Sequence, residues 1–326
     1  MAAMPANPAP LETARSLPGL APMRRFVMPV PSREEVRNGI YYMLASVFVF
    51  SVVNALVKWE SARYPLDEVV FFRCGFSLLP AFAYLARGGG AGLLLRTRRF
   101  KEHLGRGVLQ FVSMLCVFAA FSLMPLADAV AITFSAPLFL TLLSIPMLGE
   151  RVGPHRWGAV LVGFLGVLLM VRSGGGFTGG VASLGALLAL ASAAIGANVT
   201  IAVRRMTLTE TSATLVAFQA LIATALSLLL LPFAWTTPGW LDALLMAATG
   251  LCAGIGQFWW TQAFRFAPAA VAAPFSYLTM VWSLALGYLI WGDVPGPLLV
   301  GGAVVVALSG LYILYRETLR RTPQAA

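Results

Sequence analysis

Charge is what this sequence has least of. Only 11% of its 326 residues are Asp, Glu, Lys or Arg, while 59% are hydrophobic. Soluble domains average about 25% charged residues, and a soluble fold this poor in charge would expose more apolar surface than it could cover. A water-soluble fold is excluded. Histidine and cysteine are scarcer still. His103 and His155 stand far apart, both in stretches that read as loops, and Cys74, Cys116 and Cys252 fall in separate apolar runs with no C-x-x-C pair. That leaves no zinc or haem spacing and no disulfide framework. No metal and no cofactor are expected, and the thiols read as small buried hydrophobes. A membrane-embedded enzyme acting on lipid would need His, Asp, Ser or Lys groups convergent at one depth, and no such set is present. A structural or assembly subunit needs no set at all, so the sequence leaves that reading open.

Long apolar runs, by contrast, recur from residue 38 onward. A helix needs roughly 20 apolar residues to cross a hydrocarbon core of about 30 Å. The runs give ten spans, at 38–58, 67–87, 105–124, 127–147, 155–171, 182–203, 212–233, 241–263, 269–289 and 297–315. The fold class is therefore an all-α integral membrane protein with ten transmembrane helices, and the lipid bilayer is its solvent. Residues 1–37 hold seven prolines and no apolar run, which rules out a continuous helix and a secretory signal peptide. They read as a disordered tail, with a partner-binding tail as the alternative. Residues 173–181 form a Gly-rich linker, and 317–326 a C-terminal tail. Neither this linker nor Gly88-Gly89-Gly90 has the Lys-Ser/Thr or strand–helix context of a phosphate cradle.

The formal charge of +10 comes from 23 basic and 13 acidic residues. The basic residues sit in loops and tails without interleaved aromatics, so nucleic acid is not a partner. Their sidedness reads as topology instead. Nineteen Lys/Arg fall on the side of the termini and three, Lys58, Arg63 and Arg172, on the other, with Arg73 inside a span. The positive-inside rule then puts both termini in the cytoplasm, in a multi-pass cell (inner) membrane protein.

The chain also repeats itself. Gly39, Ser46 and Lys58 align with Gly185, Ser192 and Arg204 at a spacing of 146, as Phe72-Arg73 does with Phe218-Gln219. Ala129-Val130-Ala131 aligns with Ala270-Val271-Ala272 at 141, and Gly149-Glu150 with Gly292-Asp293 at 143, as Gly158 does with Gly301. Each half, 38–172 and 182–316, has five helices. An odd number makes the second half enter the membrane from the opposite side, so the repeats are inverted about an axis in the membrane plane. Such repeats place a site near the midplane between the halves.

These residues carry a resemblance. The chain from about 38 to 316 resembles the drug/metabolite transporter superfamily, EamA-type, through Arg73 in the second span, Pro125-Leu126-Ala127-Asp128, Leu148-Gly149-Glu150-Arg151, Ala273-Pro274-Phe275-Ser276-Tyr277 and Trp291-Gly292-Asp293. Asp293 stands where many members have Glu. The resemblance implies ten helices around a central cavity lined by spans one, three, four, six, eight and nine. It implies secondary-active transport of a small-molecule substrate by alternating access, either export of amino-acid-like solutes or uptake of a vitamin or nucleoside-like metabolite of the riboflavin or S-adenosylmethionine type. A monomer accommodates both halves.

Within that frame the polar residues inside spans become candidates for the pathway: Asn54, Arg73, Ser135, Asn198, Gln219, Gln257 and Tyr277. Each has an ordinary alternative in interhelical hydrogen bonding. A charge at a helix centre costs at least about 2.5–3.5 kcal/mol, so Arg73 either pairs with backbone or Glu68, or faces the cavity and an anionic group. Pro137 and Pro274 each remove a backbone donor inside a span and mark either a packing kink or a bend that lines the pathway. Asp128, Glu150, Arg151 and Asp293 stand at helix joints, where a carboxylate caps the amides of the following helix or forms a gating ion pair. None of these acids lies mid-membrane, so no dedicated proton-coupling carboxylate is apparent.

Overall fold

A computed structural model describes residues 32–87, 97, 99–148, 154–173, 181–206, 210–231, 235–267 and 273–321. The tail up to residue 31, most of the 173–181 linker, the end of the C-terminal tail, Glu150 and Arg151 lie outside the described residues. The elements are α1 (Arg33–Ser61), α2 (Leu66–Arg87), α3 (Phe100–Leu123), α4 (Leu126–Thr133), α5 (Ala136–Leu148), α6 (Pro154–Ser173), α7 (Val181–Met206), α8 (Ser212–Leu230), α9 (Trp240–Phe266), a 3-10 turn (Ala273–Tyr277), α10 (Leu278–Trp291) and α11 (Pro297–Arg321).

By length and composition five segments can cross a bilayer: Arg33–Ser61, Phe100–Leu123, Leu126–Leu143, Ser183–Val203 and Trp240–Ala263. Four shorter apolar helices match four more expected spans, and α2, which carries Asp67, Glu68 and Arg73, is the tenth. α4 and α5 together make the fourth span. The outer surface is apolar, with Leu161, Leu165, Leu184, Leu187 and Leu289 all more than half exposed. In water that surface would be a liability; against lipid tails it is the expected exterior.

Several boundaries differ from expectation. α1 starts at Arg33 because Ser32 and Glu35 form a capping box: the Glu35 amide donates to Ser32 Oγ at 3.2 Å, and the Ser32 amide to Glu35 Oε2 at 2.7 Å. Residues 33–37 are thus helical rather than tail. α3 starts at Phe100, not 105, which draws His103 out of the loop and moves Arg106 from the edge of the expected span to well inside the helix. α11 runs on to Arg321.

The two five-helix repeats interlock. α1 packs on α9 as α7 packs on α3; α2 packs on α9 as α8 packs on α3; α1 meets α10 as α7 meets α4 and α5. Three further contacts map onto themselves: α2 on α8, α4 on α10 and α6 on α11. Individual residues obey the same exchange. Ser46 Oγ donates to the Gly256 carbonyl at 3.0 Å, and Ser113 Oγ to the carbonyl of Ser192, the repeat mate of Ser46, at 3.0 Å. A Cβ on Gly250 of α9 would lie 2.6 Å from Phe76 on α2, and one on Gly107 of α3 would lie 2.7 Å from Ile222 on α8. Gly107 and Gly250 are 143 apart, Phe76 and Ile222 146 apart. With little hydrophobic drive between helices inside lipid, such small-residue approaches and interhelical hydrogen bonds hold the bundle.

The fourth and ninth spans are both interrupted. The first break falls at Phe134-Ser135, between α4 and α5. Pro137 follows it in the first turn of α5, where no amide bond is lost. In the second repeat the corresponding Phe275-Ser276 lies in the 3-10 turn that also holds Pro274.

Candidate functional site

A cavity of about 330 Å³ lies between the repeats. Among the described residues, eight helices reach its wall, four from each repeat; α2 and α8 join the spans expected there, while no described residue of α5, α6 or α11 does. Four of the candidates come together on this wall: Asn54 from α1, Arg73 from α2, Gln219 from α8 and Gln257 from α9. Gln110 and Met114 from α3 and Thr133, at the end of α4, add to its polar and polarisable surface, as do Ser77, Ser113, Ser192 and Thr279.

Arg73 is held in place by close helix packing. The Gly250 and Gly254 positions of α9 sit against the α2 backbone, Gly250 beside the carbonyls of Phe72 and Arg73 and Gly254 beside that of Ser77. Arg73 Nη1 donates to Met114 Sδ at 3.0 Å, and the guanidinium lies 5.1 Å from the centre of the Phe118 ring. A thioether is a weak acceptor, and Arg73 Nε has no partner among the described residues. Glu68 does not supply the missing charge: its Oε2 accepts from the Thr236 amide at 3.1 Å. No carboxylate among the described residues lies within ion-pair distance of Arg73, and Arg73 is the one charged residue among the described residues of the wall.

Gln219, the repeat mate of Arg73, is gripped from α3. Arg106 Nη1 donates to Gln219 Oε1 at 3.2 Å and Nη2 to the Leu215 carbonyl at 2.7 Å. Arg106 is only 3% exposed. Beside it His103, fully buried, stacks on Phe218 at 4.3 Å, with Nε2 3.9 Å from Glu210 Oε1. His103 was expected in a loop, and Arg106, at the start of the expected 105–124 span, was counted as a topology charge. The available signal was Glu102, an acid suited to a first helical turn, which would have moved Arg106 two turns into the helix.

Other candidates lie off the wall. Ser135 is buried and donates to the Ile132 carbonyl at 2.7 Å. Asn198, on α7, is not a wall residue. Tyr277 stacks on the wall residue Phe134, ring centres 5.0 Å apart, and its buried hydroxyl has no hydrogen-bond partner among the described residues. Pro137, just after the first helix break, is not a wall residue.

At the helix joints, Gly292 closes α10 with φ +69, its amide donating to Tyr288 and that of Asp293 to Gly287, a left-handed cap that suits glycine. The Asp293 carboxylate, expected to cap α11, instead takes Lys58 Nζ at 3.3 Å. α11 begins only at Pro297, three residues beyond Val294, and its first turn bonds to the Gly296 carbonyl. Asp128, buried in the first turn of α4, lies within electrostatic reach of both Lys58 and Asp293.

Comparison with known proteins places this architecture. Residues 37–172 and 183–316 each match the EamA-like transporter family. The pseudopaline exporter CntI of Pseudomonas aeruginosa strain UCBPP-PA14 is 30% identical over 275 residues, 84% of this chain and 95% of the exporter. An S-adenosylmethionine uptake transporter of Rickettsia prowazekii is 29% identical over 86% of this chain and 93% of its own length. A riboflavin transporter of Rhizobium johnstonii is 29% identical over 90% and 96%. A crystal structure 22% identical in sequence covers 89% of this chain and 100% of its own, with a TM-score of 0.64, and supports the fold alone. A family match over each repeat, with the cavity lying between the two, gives the conclusion: the chain belongs to the EamA-like transporter family, and it is a multi-pass membrane transporter, not an enzyme.

Proposed function

We propose that the protein is a secondary-active carrier that exports small, amino-acid-like organic solutes bearing an acid group, by alternating access to the central cavity. The observation that carries this reading is Arg73, a cation on the cavity wall with no carboxylate partner among the described residues. An unpaired charge at membrane depth marks a functional site, and here the missing counter-ion is a solute carboxylate. The amides of Asn54, Gln110 and Gln257 supply hydrogen-bonding groups for the rest of the solute. The 30% identity to the pseudopaline exporters supports the export reading. The basic residues clustered on the side of the termini favour cytoplasmic termini, and moving Arg106 into the helix reduces that excess by only one.

Uptake of a vitamin or nucleoside-like metabolite is the second reading, supported by the 29% identity to the S-adenosylmethionine and riboflavin transporters. One cation and no acid among the described residues of the wall speaks against a positively charged solute.

The test compares metabolites inside and outside cells with and without overexpression, followed by flux of the responding acid in proteoliposomes. Flux should saturate, and Arg73→Gln should raise the half-saturating concentration at least tenfold while Arg73→Lys retains part of the activity. Non-saturating flux, or an Arg73→Gln variant that carries the acid as well as the parent, would overturn the reading.

A further inference from the structure

We propose that Arg106 locks the Gln219 side chain as a hydrogen-bond donor to the cavity, so that Gln219 and Arg73 act as two arms of one clamp on the solute carboxylate. This rests on the reading that the solute carries an acid group.

A guanidinium has donors and no acceptor. The atom of Gln219 that faces Arg106 Nη1 at 3.2 Å must therefore be the amide oxygen. The opposite end of the amide, its NH2 group, is then left for the cavity that Gln219 lines. Arg106 cannot release this orientation cheaply. It is 3% exposed, and its second nitrogen is fixed 2.7 Å from the Leu215 carbonyl, one turn before Gln219 on the same helix. One side chain thus holds α8 at two points, backbone and amide.

The repeat supplies the second arm. Gln219 and Arg73 occupy matching positions in α8 and α2, 146 residues apart, and these two helices pack on each other across the pseudo-axis. Both line the same cavity. A carboxylate is acceptor-only, with two oxygens, and suits a pair of donors offered from equivalent positions. The clamp is unequal by construction: one arm is charged and binds directly, the other is neutral and oriented by a charge behind it. Arg106 adds to the positive field without touching the solute. The nearby acid, Glu210, is already engaged by Thr97 Oγ1 at 2.7 Å, and no carboxylate among the described residues pairs with Arg106. Arg106 is thus a positioning residue, and Gln219 a binding one.

The test uses the full-length protein in proteoliposomes with radiolabelled amino acids, each paired with its carboxamide. The parent should prefer the acid of a pair to the amide. Gln219→Glu keeps an acceptor for Arg106 and so preserves packing, but turns the donor facing the cavity into an acceptor. It should raise the KM for the acid at least tenfold and lower the acid-over-amide preference, with the unfolding temperature little changed. Arg106→Met frees the Gln219 amide to rotate and should reduce the acid-over-amide preference severalfold; Arg106→Lys should restore most of it. If Arg106→Met fails to fold, Gln219→Glu decides alone. A parent that prefers the acid while Gln219→Glu keeps the same preference overturns the clamp and leaves the acid-solute reading standing. A parent with no acid preference in any pair overturns both.

Discussion

Lys58, in the last turn of α1, sets its Nζ 3.3 Å from Asp293 Oδ2 and 4.6 Å from the ring of Trp291, just past the end of α10. The pair joins the first repeat to the second at the membrane end opposite the chain termini. Both side chains are partly shielded, 14% and 28% exposed, and a cation at the C-terminal end of α1 also suits the helix dipole.

Breaking this link should open that end. Lys58→Ala leaves the Asp293 carboxylate half-buried without its partner, at a cost of about 1–2 kcal/mol, between the values for exposed and buried pairs. With Cys116 and Cys252 replaced by Ala, the wall thiol Cys74 should react faster with an impermeant thiol reagent in Lys58→Ala or Asp293→Asn. The charge swap Lys58→Asp with Asp293→Lys should slow it again. Equal labelling rates in all four proteins would remove the gating role.

Gly250 should tolerate no side chain. An alanine Cβ there falls 2.6 Å from Phe76 Cβ and 2.8 Å from the Phe72 carbonyl oxygen. Overpacking of this kind costs about 1–3 kcal/mol, and the displaced helix carries Arg73 with it. Gly158 and Gly301, matched in the repeat, meet nothing within 4 Å; Ala there should be neutral or stabilising by up to about 1 kcal/mol. Unfolding measurements on the three variants should separate Gly250→Ala from the other two, and comparable losses in all three would contradict the packing.

The Tyr277 hydroxyl is buried with no hydrogen-bond partner among the described residues. Removing an unsatisfied buried polar group is neutral or favourable, so Tyr277→Phe should leave stability unchanged or raise it by up to about 1 kcal/mol, with the stack on Phe134 kept. Tyr277→Ala loses that stack and should be less stable by about 3–5 kcal/mol, as for other large aromatic truncations. A Tyr277→Phe protein of full stability but low flux would mean that the hydroxyl finds a partner during the transport cycle.

Glu68 ties α2 to the segment before α9 through the Thr236 amide. Glu68→Ala should cost about 1.5–3 kcal/mol, the range for a hydrogen bond to a charged group, and should speed proteolysis after Trp235. Unchanged cleavage would show that the stack of Trp235 on Phe72 suffices to hold the segment.

The repeat was legible because its marks are local: Ser46 and Ser192 at one spacing, and Gly149-Glu150 and Gly292-Asp293 at another. The interior was less so. A soluble helix announces its buried face by polarity, but a membrane helix is apolar on every side, so nothing in the pattern separates Asn54, on the wall, from Asn198, off it. Arg106 was misplaced for a related reason. A basic residue near a helix start reads as interfacial, and only the approach of α8 buries it. Arg73 was recognisable at once, since no sequence context hides a charge in mid-span.

The crossed packing of the repeats also sets the order of assembly. α1 finds its largest partner in α9, and Ser46 must wait 210 residues for the carbonyl of Gly256. At about 5–20 residues per second, the first span spends roughly 10–40 s in the bilayer before that partner is made. The first five helices therefore insert with their main interfaces bare. Long-range pairing of this kind is slow and exposed to misassembly, so the bundle closes only after synthesis is nearly complete, and a half-chain made alone has most of its contact surface still open.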